Sequence, residues 1–200
     1  MQPGSATNKR LSASSHPDVG NDRHNLIRPA CDRIKRALDE EYYLEAIALI
    51  ESVLADRLEG RAAYLIEKFG MKDFLKGNKH VGIGILCANL GDKEEPIAAL
   101  RNAAIQVKGW IVGRNEAVHG LPKLREESQG TWEQRTQSLK TVALDGVKRL
   151  LEYDELDRQD RHENLKGKKW PAATCPAALA ALGPSCRWCA EIEKDIHDHE

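Results

Sequence analysis

Arg114, Asn115 and His119 put a permanent cation, an amide and a titratable base within six positions, inside the stretch Gly113 to Pro122. Histidine, with an unperturbed pKa of about 6.5, suits proton transfer near neutral pH. Arginine stays protonated and offers a planar fork to phosphate oxygens, so it can position a phosphate and stabilise charge developing on it. Such a set can cleave RNA without metal or cofactor. A base removes the proton of a 2′-hydroxyl, the oxygen attacks the neighbouring phosphorus, and the cation stabilises the phosphorane. His119 is the candidate base or acid, Arg114 the phosphate-positioning cation, and Asn115 the group that orients the imidazole.

Spacing alone does not select this pair. With 15 arginines and 7 histidines in 200 residues, an arginine five positions before a histidine arises about 0.5 times by chance. Arg10 with His16 makes a similar pair in a segment without apolar patterning. Context selects Arg114 and His119. Ile97, Leu100, Ala104, Val107 and Ile111 form a helical stripe that runs directly into Arg114, and Gly120 with Pro122 closes it. On a straight helix, at about 100° per residue, Asn115 and His119 share a side, whereas Arg114 and His119 diverge by about 140°. The chemical reading therefore needs His119 at a frayed end, held by Asn115, with Arg114 reaching the same space. The competing reading is a helix-end histidine near the last carbonyls and a surface arginine at a helix C-terminus.

Two hundred residues suffice for one domain with a core and polar ends. The net charge of -1 supplies no overall field for nucleic acid, so any RNA contact must be local. No apolar run approaches the ~18 residues of a membrane span, and the first twenty residues lack a secretory core. The expectation is a soluble, cytoplasmic protein without a membrane partner. Five cysteines and no export signal predict reduced thiols or a metal in place of a disulfide framework.

Residues 1–23 read as an unstructured arm, 24–160 as a helical domain, and 161–200 as a polar linker and a tail. Within the domain the patterning predicts a helix from about Pro29 to Glu40. A long helix follows to Lys68, on Tyr43, Ile47, Ile50, Leu54, Leu58, Ala62 and Leu65, and Gly70 stops it. Lys72, Lys76 and Lys79 lie in a basic connector, either a solvated loop or a phosphate contact through counterion release. Val81 to Leu90 fits a buried strand or helix; a lone strand has nothing to pair with, so a short helix is expected. After the motif, Thr131 and Gln134 form a capping box that opens a helix carrying Leu139, Ala143, Gly146, Leu150 and Tyr153. Asp157 to Lys169 reads as a solvated extension or linker. With no credible sheet, the stripes can be buried only in an all-α bundle of about five helices.

The arginine, the polar residue directly after it and the histidine resemble the R-x4-6-H motif of HEPN-domain ribonucleases, which are helical proteins of toxin-antitoxin, abortive-infection and RNA-targeting CRISPR systems. The likeness covers roughly Asn25 to Gln159, and its specific part is Arg114, Asn115 and His119. It implies an HEPN-like fold and a metal-independent endoribonuclease, a toxin or antiviral defence effector. It also implies a homodimer, because HEPN nucleases line one cleft with two motifs, and an antitoxin or sensor partner. Where toxins paired with nucleotidyltransferases carry a tyrosine two positions after the histidine, this chain has Leu121, which excludes control by tyrosine adenylylation there. A non-catalytic helical module of the same fold, binding RNA or protein, is the alternative.

Cys175, Cys186, Cys189, His197 and His199 are of the types that zinc prefers. There is only one C-x2-C pair, and both histidines fall in the last four residues, so the reading is a loose tail with no assigned metal.

Overall fold

The computed structural model describes residues 19–71, 75, 81–120 and 131–164. They form an all-α bundle of five helices: α1 (Val19–Asp39), α2 (Tyr43–Phe69), α3 (Ile83–Asn89), α4 (Ala98–Gly120) and α5 (Trp132–Asn164). A single wide π turn, Leu90–Glu94, joins α3 to the segment before α4. α1 and α2 make a hairpin, α5 packs on both α2 and α4, and α3 packs against α2 and α4.

The predicted stripes are the core. Ile47, Ile50, Leu54, Leu58 and Leu65 of α2, Leu100, Ala104 and Val107 of α4, and Leu139, Ala143 and Leu150 of α5 are all buried. Each of the leucine, isoleucine and valine side chains among them contributes about 1.5–3 kcal/mol relative to an exposed one. The segment Val81 to Leu90 is helical over Ile83–Asn89, with Ile83, Leu86 and Cys87 buried. Gly70 ends α2 as expected: its φ of 62° is left-handed, and its N–H donates to the Ile66 carbonyl. Thr131 and Gln134 form the expected capping box, the Gln134 side chain accepting from Thr131 N at 2.9 Å and the Thr131 hydroxyl from Gln134 N at 3.3 Å.

Two boundaries differ from the sequence reading, the start of α1 and the end of α5. α1 starts at Val19, ten residues before Pro29, which lies inside the helix. A proline there removes one backbone donor, and the turns on either side carry the helix through it. α1 then ends without a glycine. Tyr42 N donates to Ala37 O and Glu41 N to Leu38 O, and Glu41 itself takes the left-handed φ of 63°. At the far end, α5 continues through Asp157 and Asp160, which are packed inward and not solvated.

α4 and α5 run antiparallel, and one close contact fixes their register. The Trp110 indole N–H donates to the Val142 carbonyl at 2.8 Å, and a Cβ on Gly146 would meet Trp110 ring atoms at 2.8–3.0 Å. Gly146→Ala is therefore expected to overpack this joint and cost about 1–3 kcal/mol. A urea midpoint equal to that of the parent would contradict the tight register.

Cys87 is buried and free, and burial pushes its thiol up to about 12, so it is an inert core residue. Cys31, also buried, is disulfide-bonded, and its partner lies outside the described residues. The expectation of reduced thiols therefore fails at Cys31. No described helix is long and apolar enough to cross a membrane.

Candidate functional site at the end of helix α4

The three motif residues stand on the last two turns of α4, which stays helical from Gly113 to Gly120. Without a break at Gly113, the backbone positions of Arg114 and His119 keep the ~140° separation of a regular helix. Arg114 is mostly buried and ion-paired through Nη2 to Glu51 of α2. Its Nη1 donates to Asn115 Oδ1 at 2.7 Å. Asn115 therefore holds the arginine; the expected contact with the imidazole is not formed. Arg114 Nε is buried without an acceptor. Burial lowers the Arg114 pKa from its ordinary value, yet a guanidinium remains protonated in a protein.

His119 is exposed. Asn115 lies one turn before it, about 40° around the helix, so the Arg114–Asn115 bond draws the guanidinium toward the histidine's side. A second cation closes the end of the helix: Arg135 of α5 donates through Nη1 to the Gly120 carbonyl at 3.3 Å. An arginine at this position complements the partial negative charge of a helix C-terminus, and nothing in the sequence pattern singled it out. Lys72, Lys76 and Lys79, the expected phosphate contacts, lie outside the described residues, as do Cys175, Cys186, Cys189, His197 and His199.

On its outer side α4 is only partly polar. Ile105 is 47% exposed and Val112 is 55% exposed, and with His119 they fall at successive seven-residue intervals. That interval drifts by only about 20° each time, so all three share one face. Gly109 lies on the same side and is exposed.

A second polar constellation, at the opposite end of the bundle, escaped the sequence reading. Arg61 of α2 is fully buried. Its Nε and Nη2 clasp the Glu95 carboxylate at 2.7 and 2.8 Å, and its Nη1 meets Asp160 and, at 3.4 Å, Asp157 of α5. The Arg61 guanidinium carbon also lies 5.2 Å from the Tyr64 ring centre. Burial opposes the charge on Arg61, but the hydrogen bonds to Glu95 and Asp160 outweigh it, and its proton affinity is raised above the ordinary value. Arg57 pairs with Asp154 at 2.6 Å. Glu95 also accepts from Ile97 N at 3.1 Å, while its carbonyl takes both Nε and Nη2 of Arg101. Every strong acceptor here has a cation, so the cluster ties α2, the start of α4 and α5 together and has no vacancy for a substrate. Among the described residues no group of histidine, cysteine, aspartate and glutamate side chains is placed to hold a metal ion.

The chain matches no known protein family, no curated protein and no solved structure. The α4 terminus carries an accessible imidazole, a guanidinium linked to the amide beside it, and a second arginine from α5. The buried cluster at the other end carries only structural ion pairs.

Proposed function

We propose that this chain is a metal-independent endoribonuclease of the HEPN type, acting on RNA as a homodimer in a toxin or antiviral defence role. The observation that carries this reading is the face shared by Ile105, Val112 and His119. An exposed apolar seam leads directly to an exposed imidazole, so a copy packed along it about a twofold axis parallel to α4 would bring two histidines to one cleft. One His119 would then take the 2′-hydroxyl proton as that oxygen bonds to phosphorus. The bond to the 5′-oxygen breaks, and the other His119 returns a proton to that leaving oxygen. Arg114, already turned toward Asn115, would exchange Glu51 for a phosphate oxygen and stabilise the phosphorane charge.

The test is the chemistry of the product ends. Purified protein incubated with RNA in excess EDTA should give fragments ending in 2′,3′-cyclic phosphate. Cleavage that stops in EDTA, or leaves other ends, would eliminate the scheme.

The ion pair between Arg114 and Glu51 favours a second reading, a non-catalytic module of the same fold that binds RNA or a protein. In that case Arg114 is a structural link between α2 and α4, and RNA incubated with the protein stays whole.

A further inference from the structure

Trp132 opens α5 and is 63% exposed, in contrast to Trp110, which is 4% exposed. The difference follows from register. Trp132, Arg135, Leu139, Val142 and Gly146 step by three or four along the side of α5 that faces α4. Arg135 already meets Gly120, the last residue of α4. Trp132, one turn earlier on α5, projects past the end of the facing helix and keeps its large ring largely open to solvent, on the pole that carries His119.

The surroundings specify the chemistry of a partner for that ring. In residues 132–144 the only carboxylate is Glu133, beside the cations Arg135 and Lys140; from 145 to 160 there are six, at Asp145, Glu152, Asp154, Glu155, Asp157 and Asp160. α5 is thus cationic and carboxylate-poor at the His119 pole and acidic at the other. The other groups on its first three turns are the neutral hydroxyls and amides of Gln134, Thr136, Gln137, Ser138 and Thr141. An exposed indole beside arginine suits an unpaired nucleotide: every base has a face to stack, and its phosphates meet Arg135 and Lys140 on the α5 side, with Glu116 and Glu133 the exposed carboxylates nearby.

We propose that Trp132 is a stacking platform for one unpaired RNA base, positioning a single strand across the end of α4 that carries His119. The proposal rests on the ribonuclease reading for the identity of that pole, while the binding it predicts can be measured without cleavage.

The test uses full-length His119→Ala protein, so that RNA stays intact, and a labelled single-stranded RNA of ten nucleotides followed by fluorescence anisotropy. Adding Trp132→Ala should weaken binding about 5- to 150-fold, the equivalent of the ~1–3 kcal/mol of one base–aromatic stack. Trp132→Phe should stay within about threefold of the His119→Ala protein. Equal binding with alanine and tryptophan would overturn the proposal. So would a shift to a smaller species in sedimentation caused by Trp132→Ala, because the ring would then pack on a second copy. Weakened binding combined with no cleavage by protein retaining His119 would leave the platform standing and remove the ribonuclease reading. Cleavage and binding unaffected by Trp132→Ala would do the reverse.

Discussion

His119→Ala is expected to lower RNA cleavage by about 10²- to 10⁴-fold, the contribution of a positioned general acid or base. The imidazole is exposed and no hydrogen bond joins it to another described side chain, so its removal should leave the thermal midpoint within about 3 °C, since isolated surface changes stay within about ±0.5 kcal/mol. That separation makes the result interpretable: activity disappears while the fold does not. Arg114→Lys should also lose activity, because an ammonium cannot reproduce the fork that spans Asn115 and a phosphate. It should cost some stability as well, since Arg114 also ties α4 to Glu51 of α2. A His119→Ala protein that still cuts RNA at the parent rate would end the case for catalysis at this helix terminus.

The largest expected loss of stability lies at the other end. Arg61→Met should destabilise the bundle by about 3–5 kcal/mol, because it leaves Glu95, Asp157 and Asp160 as buried carboxylates without their shared cation. For a domain whose total stability is about 5–15 kcal/mol, that is a large fraction. Methionine keeps most of the volume, so the cost reports charge and not a cavity. The paired variant Arg61→Met with Glu95→Gln should recover part of the loss, since the most buried orphaned carboxylate is gone. A coupling of about 0.5–3 kcal/mol is expected from the double-mutant cycle in urea. Additive effects would show that Arg61 acts through its packing on Tyr64 alone.

The apolar half of this architecture was readable from the chain. Period-3.6 stripes, the glycine stop at Gly70 and the capping box at Thr131 each rest on local chemistry, and local chemistry survives folding unchanged. The buried ionic cluster was not readable by the same logic, because arginine, glutamate and aspartate count as surface residues when hydropathy is scanned. One signal was available: Arg57 and Arg61 lie one turn apart, and Asp154, Asp157 and Asp160 recur every three residues, so each set lines one helical face. Which opposite charges would be buried against each other depends on how α2 and α5 align, and no short window of sequence contains that. The motif divides in the same way. The helix that carries it was legible, but the partner of Asn115 was not, because that contact depends on Arg114 being drawn between α2 and its own neighbour. A frayed end at His119 was expected from the glycine and proline that follow it, yet α4 stays helical to Gly120, with Trp110 fixed against α5 two turns earlier.

Trp110, set into the space that Gly146 leaves open, acts as a fulcrum about 13 Å from His119, at 1.5 Å of rise per residue. Beyond it, Ile111, Ala117 and Val118 still pack against the core, and the ties from Arg114 to Glu51 and from Arg135 to Gly120 add polar anchors, while the ionic lock secures the far side of the molecule. The two poles are thus secured by different forces, apolar packing with a few polar ties at the α4 tip and buried ion pairs at the far side, so changes of salt or pH should act on the second far more than on the first.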